Sequence, residues 1–329
     1  MREADRPDTP QTRTVGGALA ERRGTRPAPW QGRPGAASQV VIQYLAQIVN
    51  SGLALGSVYG LMAIGFALIF SSSRLINFAQ GELLLIGGLT LQSLTLVLHL
   101  SPLAALAAAA LFGFVLGHLL YATTLGVGIK ASPLHQLMLT VAASLCWQGV
   151  AILAWGKNPI MLPQLLPLPP VRLGLVFLSR DTLTALVLAV ASVILLSLFL
   201  AHTRIGRAVR AVSMNPVAAR LQGIRPGFCH ALSFALAGIL AALAAMAIGP
   251  QTMLRYDMGL GLGLKGFVAA TIGGYASVGR VFFGGVILGL VEAALVLLLS
   301  GELKETVTYV LLIGLLVLAP GKREEARPA

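Results

Sequence analysis

Five side chains able to carry charge or hydrogen bonds interrupt otherwise apolar runs of this chain. Asn77, Gln80 and Glu82 fall in SSSRLINFAQGE, Lys265 follows a glycine-rich segment, and Glu292 lies midway along residues 281–299. Such groups do the chemistry of passage: they hold a polar solute, a proton or one another where water is excluded. An unpaired ionised carboxyl there costs several kcal/mol, so Glu292 is protonated, paired or facing water. Both an interhelical hydrogen bond and a place in a solute path meet that condition. The break at residues 71–82 likewise has two readings, an ordinary loop between spans or a broken helix lining a cavity. On spacing alone the ordinary loop is the plainer of the two.

Other chemistries lack their residues. His99, His118, His135, His202 and His230 are scattered, with no HExxH and no GxSxG. Cys146 and Cys229 both lie in apolar segments and give neither a disulfide framework nor metal-ligand spacing. GLGLKG and APGKR both fail the spacing of a phosphate-binding loop and lack its Ser or Thr. No cofactor, metal or nucleotide site is expected, and no enzymatic role.

The elements that must position these groups are membrane helices. Of 329 residues, 56% are hydrophobic and 11% charged, and apolar runs of spanning length recur. The expected fold is all-α, a polytopic integral membrane protein of about eight transmembrane helices with one or more broken or re-entrant segments. The net charge of +12 does not point to nucleic acid. Seven arginines fall within residues 1–33 and five within 203–227, with no aromatic-interleaved basic patch.

Residues 1–38 read as a disordered basic cytoplasmic tail, residues 39–320 as the membrane domain and 321–329 as a second cytoplasmic tail. With both tails inside, the number of full crossings would be even. Within the membrane domain, Gly52, Gly56 and Gly60 share a helical stripe, and Gly285 and Gly289 form another small-residue pair; both allow close helix approach. Residues 156–180 are proline-rich and non-periodic, an external loop. Residues 249–265 carry glycines 259, 261 and 263, and only residues 267–276 suit a half-helix.

Residues 203–227, TRIGRAVRAVSMNPVAARLQGIRPG, hold five arginines and no acid between two apolar spans, which assigns them to the cytoplasm. Asn215 is placed to cap a short helix that Pro216 opens and Gly223 stops, over residues 216–222. Ala218 and Ala219 give it a small apolar face.

Three blocks together resemble the branched-chain amino acid permease family of ATP-binding-cassette importers. They are LALGS.Y.L.AIGFALIF…INFAQGEL.L.G, GRAVRA…NP.AA.L.GI and KGFVAATIGGYASV.G…GGVILG..E, in the family's order between residues 51 and 322. Gln80 stands where the family usually has His, and Val217 where the coupling loop of such permeases has an acid. The resemblance implies that Arg207, Arg210, Asn215, Pro216, Ala218, Ala219 and Gly223 form the loop that docks the ATPase. It places Asn77, Gln80, Glu82, Lys265 and Glu292 along the solute path. The implied partners are two ATPase subunits, a second permease subunit, an extracytoplasmic solute-binding protein and membrane lipid, in the cell inner membrane, with no nucleic acid. A permease for urea or another small amide is the alternative solute reading, and a secondary carrier or channel the rival mechanism.

Overall fold

A computed structural model describes residues 36–128, 132–164, 168–173, 176–275 and 277–298, together with 306, 309, 310, 313 and 314. Residues 1–35 of the expected tail at 1–38, and the whole of the expected tail at 321–329, lie outside the described residues. The compact body runs from Gln43 onward.

The chain forms α1 (Ala36–Ser73), α2 (Gln80–Gln92) continued by a π-helical turn (Ser93–Val97), α3 (Pro102–Thr123), α4 (Leu125–Gly128) and α5 (Pro133–Trp155). After a two-stranded hairpin, β1 (Val171–Leu173) and β2 (Val176–Leu178), come α6 (Arg180–His202), α7 (Arg204–Met214), α8 (Pro216–Leu221), α9 (Pro226–Ile248), α10 (Met258–Gly273) and α11 (Val278–Leu298). Six of these, α1, α3, α5, α6, α9 and α11, are long and apolar enough to cross a membrane, and α10 is a shorter apolar helix. Prolines at the first turns of α3, α5, α8 and α9 are in the one helical position where a missing N–H costs nothing.

Glycine decides how the helices meet. Gly52, Gly56 and Gly60 of α1 face Leu290, Val286 and Phe282 of α11, and Gly285 and Gly289 lie against the backbone of Gly60 and Gly56. A Cβ at any of these would collide with the opposite backbone or ring, so the pair is an antiparallel glycine zipper. Gly113 and Gly117 of α3 meet Gly238 and Phe234 of α9 in the same way. Such approach lets dispersion and backbone contacts do in lipid what burial from water does elsewhere.

These contacts fix direction. α3 and α9 are antiparallel, as are α1 and α11, and α10 and α11, where Gly284 meets Ala269 and Gly273 meets Val281. α2 runs parallel to α9, Gln80 at Ala237 and Gly87 at Ala242, and parallel to α5, Phe78 at Thr140 and Ser93 at Trp155. α1 runs parallel to α6: Asn50 caps the start of α6 through Ser179 N (2.9 Å), while Arg74 shares a cavity with Leu200 and Ala201 at its end. Among the described residues, α1, α2, α3, α5, α6, α9, α10 and α11 therefore alternate in direction, α2 and α10 being the short members.

Two expectations are corrected. Helix α10 begins at Met258 rather than near residue 267, with Gly259, Gly261 and Gly263 inside it. Those glycines lower helix propensity but admit the backbone of Gly81, which meets Gly259 and Gly263. The proline-rich segment also holds the hairpin, Val171 opposite Leu178, and Ile160 bridges Leu254 across the same end.

Candidate functional site

Helix α1 stops at Arg74, a non-glycine residue at φ 58°, and residues 74–79 run without helix into α2. Backbone released in this way inside a membrane body must be satisfied by protein. Asn77 Oδ1 accepts from Ala79 N (3.1 Å), and Phe78 N donates to Thr140 Oγ1 of α5 (3.3 Å). Asn77, Gln80 and Glu82 are fully buried. The ordinary-loop reading is thereby overturned, since a loop in water would expose them.

Each of the three is half satisfied. Gln80 Nε2 donates to Ala237 O of α9 (3.3 Å). Glu82 Oε1 accepts from Ser144 Oγ (3.0 Å) and Gln148 Nε2 (2.9 Å), both on α5. Thr140, Ser144 and Gln148 of α5 thus face this break. Asn77 Nδ2, Gln80 Oε1 and Glu82 Oε2 are buried without a partner among the described residues. Each such atom costs about 1–3 kcal/mol while unpaired, so the cluster is a place where a polar guest gains and a core of apolar side chains would not. Gly259 of α10 packs directly on the Glu82 carboxyl.

The second cluster joins α1, α10 and α11. Lys265 Nζ lies 2.8 Å from Glu292 Oε1, Tyr59 Oη donates to Glu292 Oε2 (2.8 Å), and Lys265 Nζ donates to Tyr59 Oη (3.3 Å). The two charged residues singled out in the sequence therefore form one buried ion pair, which resolves the cost of Glu292. Tyr59 was not among the expected site residues. Its one signal is position, between Gly56 and Gly60 on a helix whose glycines bring α11 into reach. Lys265 also borders a cavity of about 550 Å³ shared with Thr252, Arg255, Asp257, Gly261 and Tyr309. That cavity lies at the end opposite the basic loop. Helix α10 carries both Lys265 and the glycines that touch Gly81 and Glu82, so it connects the two clusters.

At the other end the polarity is reversed. Thr203 Oγ1 caps α7 by accepting from Gly206 N (2.9 Å), and α7 buries Gly206, Val209 and Val212 while Arg207 and Arg210 stay exposed. Asn215 Oδ1 accepts from Val217 N and Ala218 N, both at 3.0 Å, with Pro216 in the first turn of α8. Gly223 closes α8 at φ 79°, and Ile224 N reaches Ala219 O (3.1 Å), the bond of a left-handed helix stop. α8 ends at Leu221 with Gln222 as its cap, one residue short of the expected 216–222. Ala219 is buried, Ala218 is exposed, and Met214, Val217 and Leu221 are 85%, 69% and 82% exposed.

Residues 48–316 match the family described as the permease component of branched-chain amino acid transport systems. A high-affinity branched-chain amino acid transport system permease protein, LivH of Escherichia coli, is 30% identical over 297 residues, covering 86% of this chain and 96% of its own length. BraD of Pseudomonas aeruginosa, of the same description, is 28% identical over 303 residues, 85% of this chain and 95% of its own. The ribose import permease protein RbsC of E. coli is 25% identical over 291 residues, 82% of this chain and 84% of its own. No solved structure matches the chain.

Proposed function

The chain belongs to the family of permease components of branched-chain amino acid transport systems, and on that premise we propose how its two ends divide the work of an ATP-binding-cassette importer. Family members are multi-pass permeases that work with ATPase and binding-protein components. In this chain the solute is a branched-chain or related amino acid, handed over by an extracytoplasmic solute-binding protein. Two ATPase subunits and a second permease subunit complete the assembly in the inner membrane.

The observation that carries this reading is α8: a short helix capped at both ends that holds Val217 and Leu221 out into solvent. No fold requirement explains such exposure; a docking partner does. Arg204, Arg207, Arg210, Arg220 and Arg225 put this end in the cytoplasm, where Arg74 also lies. Closure of the ATPases would push α7 and α8, and through them α6 and α9, so that α10 shifts against α1 and α2. The path then opens alternately past Lys265 and Glu292 on one side and Asn77, Gln80 and Glu82 on the other.

Reconstitution tests it. Vesicles holding this permease with its ATPase and second-permease partners should take up leucine only with binding protein outside and ATP inside. Leucine flux through the permease alone, driven by its own gradient, would make the chain a carrier. Urea or a small amide is the second solute reading, favoured by Gln80 in place of the family's histidine, and competition against leucine in the same vesicles separates the two.

A further inference from the structure

We propose that Lys265 is the receptor for the solute's α-carboxylate, with Glu292 as its resident counter-ion and the cavity of about 550 Å³ as the approach. The proposal rests on the pathway reading above and adds to it the chemical group recognised and the atom that recognises it.

An ammonium group has three N–H donors. Among the described residues two of them go to Glu292 Oε1 (2.8 Å) and Tyr59 Oη (3.3 Å). The third is left for the cavity that Lys265 borders, and the side chain keeps 12% of its surface exposed while that of Glu292 keeps 1%. Glu292 is held back by bonds to both carboxylate oxygens, one from Lys265 and one from Tyr59. A guest carboxylate therefore meets the cation first and never the acid.

Charge selects the guest. The pair is neutral as it stands, and a bare anion beside it would bring an uncompensated charge into a poorly solvated place. An amino acid zwitterion adds no net charge: its carboxylate sits on Lys265 and its ammonium stays toward the mouth. Met253, Met258 and Leu260 supply apolar wall for an aliphatic side chain. When α10 moves, Glu292 can resume full contact with Lys265 as the guest carboxylate departs, so the site empties without stranding a charge.

Gly261 is the probe position. It lies one helical turn before Lys265 on the cavity wall, and among the described residues a Cβ there meets only Tyr309 Oη, at 3.5 Å. In the assembled transporter with Cys146 and Cys229 replaced, Gly261→Cys should react from the outside with thiosulfonate reagents. Leucine should slow labelling, whereas 3-methylbutylamine, which has nearly the same apolar group and no carboxylate, should not. Lys265→Arg should keep that protection by leucine, and Lys265→Met in a Glu292→Gln background, which leaves no buried charge unpaired, should abolish it. Protection by leucine that persists without Lys265, or equal protection by the amine, overturns the proposal but leaves the path in place. Absence of any reaction from outside overturns both, since the cavity is then not the approach.

Discussion

The two functional regions invert each other's polarity. Around Asn77, Glu82, Lys265 and Glu292 the chain buries charge and hydrogen-bonding groups among helices, where apolar side chains would pack more cheaply. Around α8 it exposes Met214, Val217 and Leu221 to solvent, where polar side chains would be neutral. Each region breaks its local rule, and the proposed function accounts for both breaks, with a polar guest for the first and an apolar protein surface for the second. Helices α3 and α9 meet instead through glycine against backbone and carry no Asp, Glu, Lys or Arg. They are the frame.

The largest effect should come from unbalancing the buried pair. Lys265→Met removes the cation paired with Glu292 and should destabilise the permease by about 3–5 kcal/mol, whereas Lys265→Met with Glu292→Met should recover most of that. Thermal unfolding in detergent reads both. Equal losses in the single and double variants would show that the residues act separately. Removing hydrogen-bonding capacity at the break should cost function more than fold. Asn77→Leu should cut leucine uptake by about tenfold at matched expression, a change of about 1.4 kcal/mol, with the ATPase still bound. Wild-type uptake would mean that no guest uses the orphaned groups. The smallest effect belongs to the cap. Asn215→Ala should weaken α8 by about 1 kcal/mol, seen as faster amide exchange in residues 216–221 and about a fivefold loss of ATPase affinity.

Local rules made part of this legible from sequence. The cap at Asn215 and the stop at Gly223 depend on neighbours within a few residues, and both stand where spacing puts them. The Gly52, Gly56 and Gly60 stripe announces a close partner because glycine has few other uses in a membrane helix. Which partner it meets is a tertiary fact, and so Tyr59, which reaches Glu292 only because α11 lies on that stripe, passed unnoticed. The break at residues 74–79 has the composition of a loop, and only the bodies of α5, α9 and α10 around it reveal burial. Helix α10 defeated propensity for the same reason. Its three alternating glycines argue against a helix in isolation, and packing against Gly81 requires two of them, Gly259 and Gly263.

The division of labour is tested most directly at Gly223. Its φ of 79° is open to glycine and strained for a β-branched residue, while among the described residues a Cβ there meets nothing within 4 Å, so Gly223→Val disturbs the end of α8 and none of the described packing. The measurement is the amount of ATPase that co-purifies with wild-type and Gly223→Val permease, alongside ATP-dependent leucine uptake in reconstituted vesicles. The account predicts that the variant permease inserts and unfolds like wild type yet loses both bound ATPase and uptake. A variant that keeps full ATPase binding and transport would show that α8 is not the docking element and that the exposed apolar end has another purpose.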